Sequence, residues 1–317
     1  MFLQQAWRSL VFGVYGFTQF TKAGFREHSK KFQTEDMRIG MEGKNCVVTG
    51  ANSGIGFAAA EGLASRFHVY IVRGANVYMI CDLSSISEVK SFASRFCSEK
   101  KQLHVLVNNA GLLEHNRTTT PEGLELNFAV NVAATYVMTE LMLPLLEKAA
   151  PDSRVITVSS GGMYTVPLTR DLQVALTEKW AQIYHDKGVG FYSMHPGWAE
   201  TPGVAKSLPS FHEKFSGKLR SSEEGADTIV WLALQPKEKL ILMEIRFDSN
   251  LTRVSQRVNK STRQSTGQMG AFYFDRFEAP KHLAFAGTAG SHSAIDAILD
   301  DLKSICGIPS ASSAVVS

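Results

Sequence analysis

The sequence predicts an α/β fold, with a single domain built on a doubly wound parallel sheet that helices cover on both faces. Short apolar runs of strand length alternate with longer segments in which apolar residues recur at helical spacing. A glycine-rich turn follows the first predicted strand and opens the helix after it. The chain has 317 residues, of which 44% are hydrophobic, and this suffices for a full core.

The elements follow from local pattern, taken in chain order. Runs of β-branched and other apolar residues predict strands at Asn45–Val48, His68–Val72, Val77–Ile80, His104–Val107, Arg154–Val158, Gly190–Met194 and Ala271–Phe274. Longer segments with helical spacing predict helices at Ile55–Ser65, Pro121–Lys148, Asp171–Tyr184 and Ser222–Leu234. Because strands and helices alternate, the strands are expected to be parallel neighbours joined by helices.

One place breaks this alternation. The predicted strands His68–Val72 and Val77–Ile80 are separated only by Arg73–Asn76. Parallel neighbours need a crossover of roughly a dozen residues, whereas four residues can close only a hairpin. We therefore predict that one crossover helix of this fold is missing.

The segments that flank the α/β domain differ from it in composition. We place the domain at residues 41–285, between an amphipathic amino-terminal segment at residues 1–40 and a carboxyl-terminal tail at residues 286–317. Residues 241–268 are rich in Ser, Thr, Arg and Gln and precede the last predicted strand. This composition favours a flexible loop inserted into the domain.

Charge is concentrated in two of these peripheral segments. The net charge of the chain is +3, yet residues 1–31 carry +4 and residues 240–268 carry +3, so the remainder is near −4. The body of the protein is therefore slightly acidic, and we expect no nucleic-acid partner.

The amino end predicts a helix with one apolar stripe, formed by Leu3, Trp7, Leu10, Val14 and Phe17. Only 13 uncharged residues separate Arg8 from Lys22, which is too few to span a bilayer. Three interpretations stay open: a helix packed on the domain or partly disordered, an interfacial contact of residues 1–31 with a membrane surface, and a mitochondrial presequence.

The cysteines bear on the cellular compartment. The four of them, Cys46, Cys81, Cys97 and Cys306, are widely spaced and form no CxxC pair. This pattern favours reduced thiols over disulfides, and it predicts no metal site. We expect an intracellular, reducing location, either cytoplasmic or peripheral to a membrane or a mitochondrion.

The glycine-rich turn carries the first functional signal. Thr49-Gly50-x-x-x-Gly54-x-Gly56 lies between a predicted strand and a predicted helix. Glycines at such spacing let the backbone turn tightly and approach a pyrophosphate, and the free N–H groups of a helix start favour negative charge. The turn therefore predicts a dinucleotide site.

In their order along the chain, this turn and five further motifs resemble the short-chain dehydrogenase/reductase family. Those motifs are Asp82-Leu83, Asn108-Asn-Ala-Gly111, Asn131, Ser159-Ser160 and Pro196-Gly197. The resemblance covers about residues 43–237 and the strand near residue 271. It implies a Rossmann-like fold, an NAD(P) cofactor, and oxidoreduction of a carbonyl or alcohol group in a small molecule of unknown identity; it leaves a homodimer open.

The resemblance also implies a role for individual residues. The diphosphate would contact Gly50, Ser53, Gly54, Ile55 and Gly56. The adenine would contact Asp82 and Leu83, and the adenosine ribose would contact Asn109, Ala110 and Gly111. The nicotinamide carboxamide would contact Pro196, Gly197 and Thr201. Arg73 would neutralise a 2′-phosphate and thus favour NADP over NAD, unless it is an ordinary surface arginine.

The catalytic part of the family pattern is incomplete. The resemblance makes Ser160 the serine that hydrogen-bonds the reacting oxygen and Asn131 the anchor of a proton relay. The family's proton donor is a tyrosine with a lysine four residues later, and no tyrosine of this chain has that neighbour. We therefore predict very low or absent turnover; the alternative function is a non-catalytic protein that binds a nucleotide or associates with a membrane.

Three substitutes for the tyrosine–lysine pair can be considered. Tyr164 follows Ser160 closely but has no lysine near it in sequence. Tyr184 and Lys187 lie at the far end of the predicted helix, away from the strand ends where ligands bind in such sheets. Lys179 has no tyrosine at the required spacing. We interpret the chain as a shortened family member, which lacks one segment after Arg66 and the start of the catalytic helix near Gln173.

Overall fold

The computed structural model of the chain describes residues 2–40, 42–64, 68–72, 79–99, 102–165, 172–241, 270–281 and 295–308. Within these residues, seven strands form one sheet. They are β1 (Asn45–Thr49), β2 (His68–Val72), β3 (Val105–Asn108), β4 (Arg154–Val158), β5 (Gly190–His195), β6 (Phe272–Phe274) and β7 (Phe277–Glu278). Their order is β2-β1-β3-β4-β5-β6-β7, and all neighbours are parallel except the β6–β7 hairpin.

The helices connect and cover these strands. In chain order they are α1 (Phe2–Gln19), α2 (Lys22–Ser29), α3 (Gly54–Ala64), α4 (Ile86–Glu99), α5 (Leu126–Phe128), α6 (Ala134–Lys148), α7 (Leu172–Ile183), α8 (Pro202–Ser207), α9 (Pro209–Lys214), α10 (Ser222–Leu234) and α11 (Ile295–Cys306). Short 3₁₀ turns lie at Thr34–Met37 and Gly161–Thr165, and a π-helical turn at Ala129–Ala133 joins α5 to α6.

Apolar residues alternate between the two faces of the sheet, because successive side chains of a strand point in opposite directions. In β1, Val47 belongs to one core, together with the inner faces of α4, α6, α7 and α11. Its neighbours Cys46 and Val48 belong to the opposite core, under α3 and α10. The predicted single-domain, doubly wound architecture is therefore confirmed.

The predicted strand His68–Val72 is present, as β2 on the edge of the sheet beside β1. From there the chain returns through α4 to β3 on the other side of β1. Among the described residues, no helix lies between β2 and α4 and no strand lies outside β2. Half of the predicted strand Val77–Ile80, residues 77 and 78, lies outside the described residues, as does the predicted loop over residues 242–268.

The sequence analysis missed the short helices α2, α8 and α9 and two longer helices, α4 and α11. α4 buries Ile86, Val89, Phe92, Ala93 and Phe96, whose helical spacing was a usable signal. α11 falls within the segment predicted as a carboxyl-terminal tail, and it packs four residues into the same core as α4.

The stretch Leu126–Lys148 spans α5, the π-helical turn and α6. Its 23 residues are long and apolar enough to cross a membrane by length and composition, with a mean hydropathy of 1.4. Yet 78% of its most apolar window is buried inside the fold. We therefore assign it to the protein core.

The amino-terminal helices α1 and α2 pack at the carboxyl ends of β5 and β6. Phe20, between the two helices, is fully buried, and its ring centroid lies 4.4 Å from that of His195 and 5.0 Å from that of Phe274. One turn earlier, Gly16 faces Trp198 so closely that a Cβ atom on Gly16 would lie 2.3 Å from the Trp198 ring. The prediction that the amino end forms a helix holds, and its inner face contacts the domain.

A buried arginine fixes this segment in place. The Arg220 side chain is fully buried and pairs through two nitrogens with the Asp275 carboxylate. It also donates to the carbonyl oxygens of Gln19 and Phe20, both at 2.8 Å. Since an unpaired buried charge is very unfavourable, these contacts strongly favour the docked position of the segment.

The close contact at Gly16 predicts a position-specific effect on stability. We expect Gly16→Val to destabilise the protein by about 1–3 kcal/mol relative to Gly13→Val, because the added side chain must displace Trp198 or α1. Gly13 lies in the same helix with nothing within 4 Å of a Cβ atom, so it controls for the intrinsic effect of valine. Thermal unfolding of both variants measures the difference; equal melting temperatures would contradict the docking of α1.

Candidate functional site

A cleft of about 480 Å³ opens where β1 and β3 end at the carboxyl edge of the sheet. Eleven of the fourteen predicted cofactor residues line it: Gly50, Ser53, Gly54, Ile55, Gly56, Asp82, Leu83, Asn109, Ala110, Gly111 and Thr201. The other lining residues, missed by the sequence analysis, are Asn52, Ser84, Leu112, Leu126, Val130 and Gly203. Asn52 stands inside the glycine-rich motif, and Ser84 and Leu112 directly follow recognised motifs, whereas Leu126, Val130 and Gly203 are brought in by tertiary packing.

The glycine-rich turn needs its glycines for close approach between backbones. Gly50 has a φ of +65°, and a Cβ atom there would lie 2.9 Å from the Ala110 Cα atom. A Cβ atom on Gly56 would lie 2.3 Å from the Gly50 carbonyl oxygen. Side chains at these positions would force the turn away from β3, so the glycines let the start of α3 face the cleft.

The end of β1 is tied to the end of β3 by side-chain hydrogen bonds. The Thr49 hydroxyl oxygen accepts from the backbone N–H groups of Asn109 and Ala110, both at 3.0 Å. In return the Asn109 side-chain amide donates to the Thr49 carbonyl oxygen at 2.9 Å. These bonds hold the two walls of the cleft at a fixed separation.

Two carboxylates order the wall of the cleft that lies before α4. Asp82 accepts from the Ser84 backbone N–H at 2.9 Å, which shapes the turn before α4. Glu122 accepts from the backbone N–H groups of Ile86 and Ser87 and so caps the start of α4. Burial acts to raise the pKa of Glu122, but these hydrogen bonds outweigh it and lower that pKa, so Glu122 is a stable anion at this helix start.

Asn131 lies in the π-helical turn and pairs with the backbone of the cleft wall. Its side-chain oxygen accepts from the Leu112 N–H at 2.9 Å, and its amide donates to the Leu112 carbonyl oxygen at 2.8 Å. Such turns inside α-helices are frequent at functional sites. In this structure, Asn131 positions the segment that follows Gly111.

Ser160 stands at the end of β4, and its side chain is exposed. The hydroxyl oxygen accepts from the Gly162 N–H at 3.2 Å, within the 3₁₀ turn Gly161–Thr165. Ser160 is not among the residues that line the cleft. Because β4 is the second strand from β1 in the sheet, Ser160 lies two strands away from the glycine-rich turn.

The three substitutes for the tyrosine–lysine pair are engaged elsewhere. The buried Tyr164 hydroxyl donates to the Pro280 carbonyl oxygen at 2.8 Å. Tyr184 donates to Glu140 at 2.8 Å, and burial raises its pKa. Lys179 pairs with Asp296 of α11 at 2.6 Å, and Lys187 lies 3.7 Å from Glu147. Among the described residues, none of these candidates brings a phenol and an ammonium group together beside Ser160.

The remaining predicted cofactor residues lie apart from the cleft lining. Pro196 and Gly197 are buried in the loop after β5, where a Cβ atom on Gly197 would lie 2.3 Å from the Arg220 Nε atom. Arg73, the basis of the predicted preference for NADP, lies outside the described residues. Sequence reasoning did not single out Arg220, Asp275 or His195, because no local motif marks a contact between segments so far apart.

Comparison with known proteins places this chain among dehydrogenases. A family profile described as short chain dehydrogenase matches residues 44–210, more than half of the chain. The relative named dehydrogenase/reductase SDR family member 12 from Homo sapiens is 40% identical over 268 residues, which cover 72% of this chain and 83% of that protein. The protein of the same name from Bos taurus is 34% identical over 339 residues, covering 94% of this chain and 98% of that protein.

A solved structure shows the same fold at lower identity. The 3-alpha-hydroxysteroid dehydrogenase from Pseudomonas sp. B-0831, complexed with NADH, is 20% identical and superposes with a TM-score of 0.51. The match covers 62% of this chain and 91% of the other. This likeness supports the shared sheet architecture.

The buried His195 predicts a pH dependence of stability. Burial, with the Arg220 charge nearby, lowers the pKa of His195 to about 3. Since an unfolded histidine has a pKa near 6.5, the unfolded chain binds a proton in this range that the folded chain does not bind. The contribution of His195 is therefore full above pH 6.5 and is lost as the pH falls towards 3, by up to about 1.4 kcal/mol per pH unit.

We expect His195→Leu to flatten the loss of unfolding free energy between about pH 7 and 4.5, measured by urea unfolding at each pH. His185→Leu, at an exposed position, is the control and should keep the wild-type slope. Equal slopes in wild type and His195→Leu would show that His195 does not carry this dependence.

Proposed function

The chain belongs to the short-chain dehydrogenase family, and from this premise we propose that it binds an NAD(P)-type nucleotide in the cleft but reduces or oxidises a carbonyl or alcohol very slowly, if at all. One contrast carries the proposal. The cleft is lined by most of the residues that the family resemblance assigns to the cofactor, whereas the candidate proton donors are engaged away from Ser160.

The chemistry explains why this contrast matters. When hydride reaches a carbonyl carbon, the oxygen must gain a proton or remain as a costly oxyanion. Ser160 can donate a hydrogen bond to that oxygen, but it is too weak an acid to replace a phenol whose pKa a lysine has lowered. Loss of a general acid typically costs roughly 10²–10⁴-fold in rate.

The comparison with the bovine relative is consistent with a shortened chain. That alignment runs over 339 positions although this chain has 317 residues, so the alignment opens gaps within this chain. We propose that the lost segments lie after Arg66 and near Gln173. The preference for NADP rests on Arg73 alone and remains part of this proposal, as does a homodimer.

Nucleotide binding without turnover is the first test. We expect purified protein to bind NADPH or NADH in a calorimetric titration and to reduce a panel of aldehydes and ketones at least about 100-fold more slowly than a family enzyme that has the tyrosine–lysine pair. A rate in the normal range for such enzymes would refute the catalytic part of the proposal.

A variant of the cleft wall tests where the nucleotide binds. Gly111 lines the cleft, and a Cβ atom there meets only the Asn131 side-chain oxygen, at 3.5 Å. We expect Gly111→Val to keep the fold and to weaken nucleotide binding by at least about tenfold, since its side chain projects into the cleft. Gly13→Val on α1 is the control and should bind as wild type. Unchanged affinity in Gly111→Val would place the nucleotide elsewhere.

A second proposal concerns the outer face of α1, which we infer contacts an anionic membrane surface. Trp7, Leu10, Val14 and Phe17 are 53%, 59%, 60% and 48% exposed and share one face, while the opposite face of α1 is docked. Lys218 lies beside this stripe, with its Nζ atom 5.4 Å from the centre of the Phe17 ring. An apolar stripe bordered by basic residues fits the boundary between acyl chains and acidic headgroups.

Co-sedimentation with vesicles tests this contact. We expect the full chain to bind vesicles containing phosphatidylserine, to bind phosphatidylcholine vesicles weakly, and to lose binding by about tenfold or more on Leu10→Glu. Ser9→Glu makes the same charge change at a neighbouring exposed position outside the stripe and is the matched control. Equal losses in both variants would mean that net charge, and not the stripe, governs binding.

A further inference from the structure

We infer that this chain recognises the adenosine diphosphate half of its nucleotide and that its described residues offer the nicotinamide half no binding surface. The inference rests on the proposed nucleotide site and narrows the ligand that the site selects. It makes the protein a receptor for adenosine diphosphate compounds, of which a nicotinamide dinucleotide is only one kind.

The cleft itself supplies the first reason. Its described walls run from Asp82 past the glycine-rich turn to Thr201, so they include every described residue assigned to the adenine, the adenosine ribose and the diphosphate. Of the residues assigned to the nicotinamide, Thr201 alone lines the cleft. The Thr201 hydroxyl oxygen already accepts from the Val204 N–H at 3.1 Å, as the cap of α8.

The loop after β5 supplies the second reason. Pro196 and Gly197 are both buried by neighbouring protein atoms. The Arg220 guanidinium lies against this loop: it would contact any side chain at position 197, and its Nη1 atom lies 3.5 Å from the Pro196 carbonyl oxygen. Backbone that is covered in this way cannot also present itself to a carboxamide.

The amino-terminal segment also packs against the loop after β5 and against the turn after Ser160. The backbone N–H of Trp198 donates to the Phe20 carbonyl oxygen at 2.8 Å. The Phe20 ring lies so close to Gly161, next to Ser160, that a Cβ atom on Gly161 would be 3.0 Å from it. Phe20 and Arg220 thus fill the space beside the loop after β5 and the turn after Ser160.

Asp275 holds Arg220, and through it the backbone at Phe20, against the loop after β5. Asp275 binds both Arg220 and the His28 ring, whose Nδ1 atom lies 2.6 Å from the carboxylate. Opening the space beside this loop would separate a buried ion pair and expose the Phe20 ring, and both changes are unfavourable. The binding free energy of a nicotinamide ring would have to offset these losses, whereas the diphosphate end needs no such rearrangement.

The test compares ligands that differ only by the nicotinamide ring. Isothermal titration calorimetry of the full chain would use ADP-ribose against NADH, and 2′-phospho-ADP-ribose against NADPH. We expect the two members of each pair to bind within about threefold of each other, and nicotinamide mononucleotide to bind at least about tenfold more weakly than ADP-ribose.

The outcomes separate this inference from the proposed function. If the dinucleotide binds more than about tenfold tighter than its partner without the ring, the nicotinamide is recognised; the inference then fails while the nucleotide site stands. If no member of either pair binds, the proposed nucleotide site itself fails. Gly111→Val, run in parallel, should weaken all four ligands by a similar factor, whereas Gly13→Val should weaken none. A loss confined to the dinucleotides would contradict the shared mode of binding.

Discussion

The ion pair between Arg220 and Asp275 is the contact on which the functional end of this molecule depends. Both side chains are buried, and the arginine satisfies its remaining donors with the carbonyl oxygens of Gln19 and Phe20 and lies near that of Pro196. Three segments that are far apart in sequence meet at one guanidinium group. Removing one partner of such a pair typically costs about 3–5 kcal/mol, since the other charge is left buried and unpaired.

This contact explains why α1 has two different faces. The inner face packs against the domain through contacts at Gly16, the Phe20 ring and Arg220. The outer apolar face therefore cannot turn inward. An amphipathic helix attached only by apolar contacts could rotate or detach. Here the docking of one face presents the other face to the surroundings, and the two proposals about this end of the protein thus share one structural cause.

The parts of the structure that could be predicted from sequence are those determined by short-range pattern. The strands from β1 to β6 are runs of apolar residues, and the glycine-rich turn is a contiguous motif, so both were predicted close to where they lie. The edge position of β2 among the described strands could not be foreseen, since it depends on how segments distant in sequence pair. The cover over the loop after β5 joins Phe20 to His195 and Arg220 to Asp275, and no local spacing encodes contacts between such distant positions.

The two parts of the proposed chemistry belong to different elements of the fold. The diphosphate end is built from the turn after β1 and the end of β3, which Thr49 and Asn109 tie together without help from α7. The acid–base chemistry of the family depends instead on the helix after β4, which the structure describes from Leu172 to Ile183 and whose described residues include no tyrosine. Because these two parts share no hydrogen bond among those described, a change that removes the second can leave the first intact. This independence is consistent with the proposal that the chain keeps a nucleotide site while it lacks the proton donor of the family.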